Sequence, residues 1–73
     1  MDVLQQWLIS KRQEYGLSQQ ELALCLGKPV EYVKRIEEGV YVLELIEYLQ
    51  YCQALQINPN EGIQIIDLAF IKE

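Results

Sequence analysis

A chain of 73 residues with a formal net charge of −5 has room for one small domain spanning residues 1–73, since so short a chain buries only about 60% of the surface its unfolded form exposes. Its 51% hydrophobic and 23% charged residues are the composition of a packed core, which excludes a disordered acidic chain. No run approaches the roughly 18 consecutive apolar residues of a membrane span, and the opening MDVLQQWLISKRQ interleaves charge and amides with apolar residues; a cytoplasmic protein without membrane association is expected.

In chain order, Asp2 can cap a first helix in which Val3, Leu4, Trp7 and Leu8 recur at helical spacing and which ends near Gly16. Trp7 is expected in the core. Ser18 followed three residues later by Glu21 forms a capping box, so a second helix starts at Gln19. Leu22, Ala23 and Leu26 carry its apolar stripe, and Gly27 stops it by supplying a left-handed exit. Pro29 suits the first turn of a third helix, with Val33 and Ile36 facing inward and Gly39 closing it. Leu45, Ile46, Leu49, Cys52 and Leu55 repeat at three and four residues, which predicts a long amphipathic fourth helix from about Leu43 to Leu55. The run Asn58 to Glu61 offers a cap, a proline at the first helical position and an acid in the first turn, so a fifth helix begins there. Beyond Gly62 the tail GIQIIDLAFIKE permits either helix or strand by periodicity.

Catalytic chemistry has little to work with. The chain lacks a histidine base, a Gly-rich phosphate loop and a Gly-x-Ser-x-Gly turn, and no enzyme is expected. Cys25 and Cys52 are too few and too far apart for a metal site, so neither a metal nor a cofactor is expected; both thiols are read as small buried hydrophobes, a disulfide being the lesser alternative.

The span LSQQELALCLGKPVEYVKRIEEG, Leu17 to Gly39, meets the requirements of a helix-turn-helix in order. Ala23 is small where two helices approach, Gly27 turns the chain four residues later, and Val33 and Ile36 return apolar groups to the preceding helix. From Trp7 to about Pro59 the chain resembles the phage-repressor and Cro-like (XRE-type) helix-turn-helix family. Its landmarks fall on Arg12, Gly16 to Gln19, Glu21 to Ala23, Leu26 to Gly27 and Ile36 to Gly39, with Glu47 and Leu49 in the fourth helix. The resemblance implies an all-α, five-helix fold of the lambda-repressor type, and a transcriptional regulator that binds operator DNA as a dimer. It further implies that Gln19 contacts a phosphate or an edge base and that Val30, Glu31, Lys34 and Arg35 face the groove. Arg35 would then pair with guanine, Val30 touch a thymine methyl and Glu31 accept from cytosine, while Lys28 and Lys34 supply backbone charge.

Two features point the other way. Val40, Tyr41 and Val42 follow the closing glycine where the family often has a basic residue, and from Gly27 to Gly39 the cations Lys28, Lys34 and Arg35 are balanced by Glu31, Glu37 and Glu38. Local positives still outweigh distant acids over a screening length of roughly 8 Å, and Lys11, Arg12, Lys28, Lys34 and Arg35 could gather on one side. Arg12 is also a candidate structural clamp for Glu37. The alternative function is a helix-turn-helix fold used for contact with a protein partner, as an antirepressor, inhibitor or antitoxin. In the tail, Ile63, Ile66, Leu68, Phe70 and Ile71 are expected to form a homodimer interface, because six large apolar residues after Gly62 need cover.

Overall fold

Capping and turn residues in the middle of the chain set where its helices begin and end. Ser18 Oγ accepts from the Glu21 amide at 3.0 Å while the Ser18 amide donates to Glu21 Oε1 at 2.8 Å, the reciprocal cap that starts α2 (Gln19–Leu26). Gly27, at φ 69°, ends it in the left-handed conformation that most side chains disfavour. Pro29 is extended (φ −69°, ψ 155°) and stands one place before the expected first turn, at the cap of α3 (Val30–Glu38). The computed structural model describes residues 3–71, and side chains as far as residue 66. Around the pair lie α1 (Val3–Glu14), α4 (Leu45–Leu55) and α5 (Pro59–Ile71), giving an all-α fold with no strand among the described residues. The expected cap at Asp2 lies outside them. Asn58 Oδ1 accepts from the Asn60 amide at 3.0 Å, the side-chain cap expected before α5, and the tail that periodicity leaves open continues as helix to Ile71. None of these helices is long and apolar enough to cross a membrane.

The core forms where α2 packs on α3 and α4, while α1 packs on α3 and α5. Leu8, Leu22, Ala23, Val33, Ile36, Tyr51 and Leu55 are its fully enclosed members, with Leu4, Trp7, Leu17 and Leu26 packed around them. The fourth helix is turned differently from the expectation. Leu45, Ile46 and Leu49 are 67%, 70% and 44% exposed, whereas Tyr48, Tyr51, Cys52 and Leu55 face inward. Both sets repeat at three and four residues. The tyrosines win the interior because each ring carries a larger apolar payload than an aliphatic side chain, even though the Tyr51 hydroxyl is buried with its ring. The Tyr48 hydroxyl donates to the Pro59 carbonyl; that of Tyr51 has no hydrogen-bond partner among the described residues. The helix starts at Leu45, two residues later than expected. Cys52 is buried as expected, but Cys25 is exposed, on the solvent side of α2; both thiols are free.

Gly62 lets α5 come close to α1 and α4. A Cβ at that position would lie 2.8 Å from Trp7 Cζ3 and 3.2 Å from Leu4 Cδ1, and would collide with the Tyr48 hydroxyl. Alanine normally gains about 1 kcal/mol over glycine within a helix. Here overpacking of about 1–3 kcal/mol opposes that gain, so Gly62→Ala is expected to lower the urea midpoint, and an unchanged or higher midpoint would contradict this close approach.

Candidate nucleic-acid interface

The side chains expected at the interface fall into two groups. Lys28, Glu31, Lys34 and Arg35 are exposed, in the turn before α3 and along its outer side; Val30 is half-buried against the core. These belong to a helix whose opposite side is anchored by Val33 and Ile36. Gln19 is drawn inward instead: its Nε2 donates to Glu37 Oε1 at 2.8 Å.

Glu37 is the buried acid of α3, 5% exposed. Arg12 Nε donates to its Oε2 at 2.7 Å and Nη2 to Oε1 at 3.2 Å, a two-pronged contact between α1 and α3, while Arg12 Nη1 donates to the Leu17 carbonyl at 2.7 Å. The fork geometry of the guanidinium suits this arrangement. Arg12 is therefore the clamp that the sequence suggests, and it is withdrawn from any surface cluster of cations. Lys11 also stands apart on α1, 3.6 Å from Glu14 and 6.0 Å from the Trp7 ring. With Glu37 internally paired, the exposed charges between Gly27 and Gly39 are Lys28, Lys34 and Arg35 against Glu31 and Glu38. The formally neutral segment presents a modest positive balance to solvent.

A second acid is engaged at the edge of this surface. Glu47, in the first turn of α4, accepts from the Tyr32 hydroxyl at 3.1 Å, from the Tyr41 hydroxyl at 2.8 Å and from the Glu44 amide at 3.1 Å. The backbone donation from Glu44, followed by that from Tyr41, holds its carboxyl below the usual range. Burial, with the neighbouring Glu47 carboxylate, pushes the Tyr32 phenol up to about 12. The depressed acid keeps the clasp closed at neutral pH and releases it only as pH falls through the lowered Glu47 value; at the alkaline end the Tyr32 phenol keeps donating above pH 10 and ceases toward about 12. The Tyr32 and Tyr41 rings lie 5.7 Å apart, and Lys28 Nζ stands 5.3 Å above Tyr32. Together with Glu31 and Arg35 they border a shallow groove of about 450 Å³ beside α3. Of this clasp only Glu47 stands among the sequence landmarks; its tyrosines carry no motif.

A glycine-turned helix pair, its second helix presenting an exposed polar face and locked to α1 by a buried ion pair, is the arrangement of a helix-turn-helix. The model of the helix-turn-helix family HTH_3 matches residues 8–62. The chain belongs to this XRE-type helix-turn-helix family. An XRE-family like protein from Pseudomonas syringae pv. tomato str. DC3000 has a similar structure, with a TM-score of 0.84 and 27% identity over 90% of this chain and 80% of that one. No curated protein matches the chain. Of the residues expected at a dimer interface in the tail, Ile63 is 48% exposed and Ile66 is partly buried; the side chains of Leu68, Phe70 and Ile71 lie outside the described residues.

The two neighbouring acids at the end of α3 should behave oppositely. Glu37→Gln leaves the Arg12 charge buried without its counter-ion and is expected to cost about 3–5 kcal/mol in urea unfolding. Exposed Glu38→Gln should stay within about 0.5 kcal/mol of the parent; similar effects from the two would refute the clamp.

Proposed function

We propose that this domain is a sequence-specific DNA-binding transcriptional regulator that acts as a dimer on operator DNA. The observation that carries the reading is the internal pairing of Glu37 with Arg12, which takes the one buried acid of α3 out of opposition to phosphate. What remains outward, Lys28, Lys34 and Arg35 with Glu31 and Glu38 among them, combines cations for phosphates with groups that can read base edges. Arg35 is assigned to bidentate pairing with guanine, Glu31 to accepting from cytosine and Val30 to a thymine methyl. Lys28 and Lys34 hold the backbone.

Gln19 takes a different role from a direct side-chain contact. Its amide braces Glu37, so the phosphate near the start of α2 is met by the backbone N–H groups of the helix N-terminus. Two-fold symmetry would set two α3 helices about 34 Å apart, one turn of duplex, over a palindromic site. A second reading, docking on a protein partner, is favoured by the apolar exposure of Val40 and Val42 beside α3.

Binding to random duplex at low salt, followed by binding to the DNA upstream of its own coding region, separates the two. Arg35→Ala is expected to lose about 1–3 kcal/mol on the preferred sequence and to relax specificity at one base pair. Lys28→Ala should instead weaken all duplexes alike and lower the salt slope by about 0.9 for each phosphate no longer neutralised. Absence of duplex binding would remove the DNA reading in favour of the protein-contact one, and equal, sequence-independent losses from both variants would contradict the assigned roles.

A further inference from the structure

The packing of α4 leaves one side of the helix uncovered. Successive residues turn by about 100°, so Leu45, Ile46, Leu49, Gln50 and Gln53 share one side, and Tyr48, Tyr51, Cys52 and Leu55 the other. The second set is the buried one, and α5 meets α4 there, where the Tyr48 hydroxyl reaches the Pro59 carbonyl and stands against Gly62. The chain's own fifth helix therefore lies away from the open side. Leu45, Ile46 and Leu49 are exposed there, and the loop leading into them adds Val40 at 72% and Val42 at 82%.

Leu45, Ile46 and Leu49, with Val40 and Val42 in the adjoining loop, leave exposed apolar surface within the range of about 300–600 Å² known for the largest patch on a monomer. A standard interface removes about 800 Å² from each partner, of which about 55–65% is apolar, so the patch matches the apolar part of one such interface. The helix side itself bears no charge. Anionic membrane surfaces recruit several Lys and Arg around an apolar stripe; α4 carries none, and Lys28, from the turn before α3, borders only its Gln50 and Gln53 end.

We infer that the open side of α4 packs against the same side of a second copy of this chain. The inference rests on the dimeric reading above and assigns its interface to α4 and the preceding loop, in place of the tail. With the two-fold axis between Ile46 and Leu49, the helices run antiparallel, Ile46 of one chain meeting Leu49 of the other and Leu45 meeting Gln50. The nearby acid Glu44 then lies toward the amide half of the opposite helix, formed by Gln50 and Gln53. The two Glu44 carboxylates stay more than about 10 Å apart. Parallel pairing would set acid beside acid, with no cation on α4 itself to answer it.

The test is the mass of the full chain by sedimentation equilibrium, without DNA, up to the hundred-micromolar range, for the parent, Ile46→Lys, the milder Ile46→Gln and Ile63→Lys. Circular dichroism verifies that each variant keeps its fold. The parent and Ile63→Lys are expected to dimerise alike, Ile46→Gln to dimerise more weakly, and Ile46→Lys to lose roughly tenfold or more in association constant, as for a charge placed centrally in an apolar contact. A monomeric parent overturns the proposal, as does unchanged dimerisation of Ile46→Lys; loss confined to Ile63→Lys places the interface on α5 and overturns it too. Failure of the DNA reading shows separately, as absence of duplex binding by the parent, and leaves these masses unaffected.

Discussion

The ion pair between Arg12 and Glu37 is the contact on which the arrangement of the first three helices depends. It joins α1 to α3, reaches the chain entering α2 through the Leu17 carbonyl, and is braced by Gln19 from the first position of α2. A pair this enclosed, with side chains 12% and 6% exposed, has given up most of its hydration. Such pairs add little net stability over a well-packed apolar substitute, but they penalise heavily any arrangement that separates the partners. The clamp thus fixes orientation more than it deepens the fold, and orientation is what a helix presented to a groove requires.

The same economy governs the surface charge. An acidic chain can still offer a cationic face where its acids are paired internally, as Glu37 is with Arg12. Glu47, held by two phenols and a backbone amide at the edge of α3, keeps its negative charge but is fixed in place there. Lys28, Lys34 and Arg35 meanwhile remain exposed. Charge counted along the chain reads as neutral in this segment; charge counted by where side chains point reads as weakly positive. The dimer inferred from α4 makes a related use of the fold, because the tyrosines that fill the core displace aliphatic side chains to the outside.

Local signals are legible where the chemistry is local. The capping box of Ser18 and Glu21, the left-handed exits at Gly27 and Gly39 and the inward Val33 and Ile36 each involve residues a few positions apart. The rotation of α4 is not legible in this way, because its aliphatic and tyrosine stripes share one period and only the neighbouring helices choose between them. Gly62 reads as the start of a tail, although its importance lies in Trp7 and Tyr48, far away in sequence. Likewise, the amide of Gln19 is expected at DNA, and no local pattern announces that Glu37, 18 residues on, takes it. Cys25 defies expectation for a simpler reason: its leucine neighbour Leu24 is itself 75% exposed.

If the exposed side of α3, freed of Glu37, meets DNA, the duplex should leave its mark there. Titration of isotopically labelled protein with duplex containing its preferred site, followed by amide and side-chain NMR shifts, examines this without intermediaries. The largest shifts are predicted at Lys28, Glu31, Lys34 and Arg35 and at the start of α2, with the core amides of α4 little changed. Shifts absent from α3 while the duplex is demonstrably bound, or confined to residues 40–49, would contradict a DNA-facing α3.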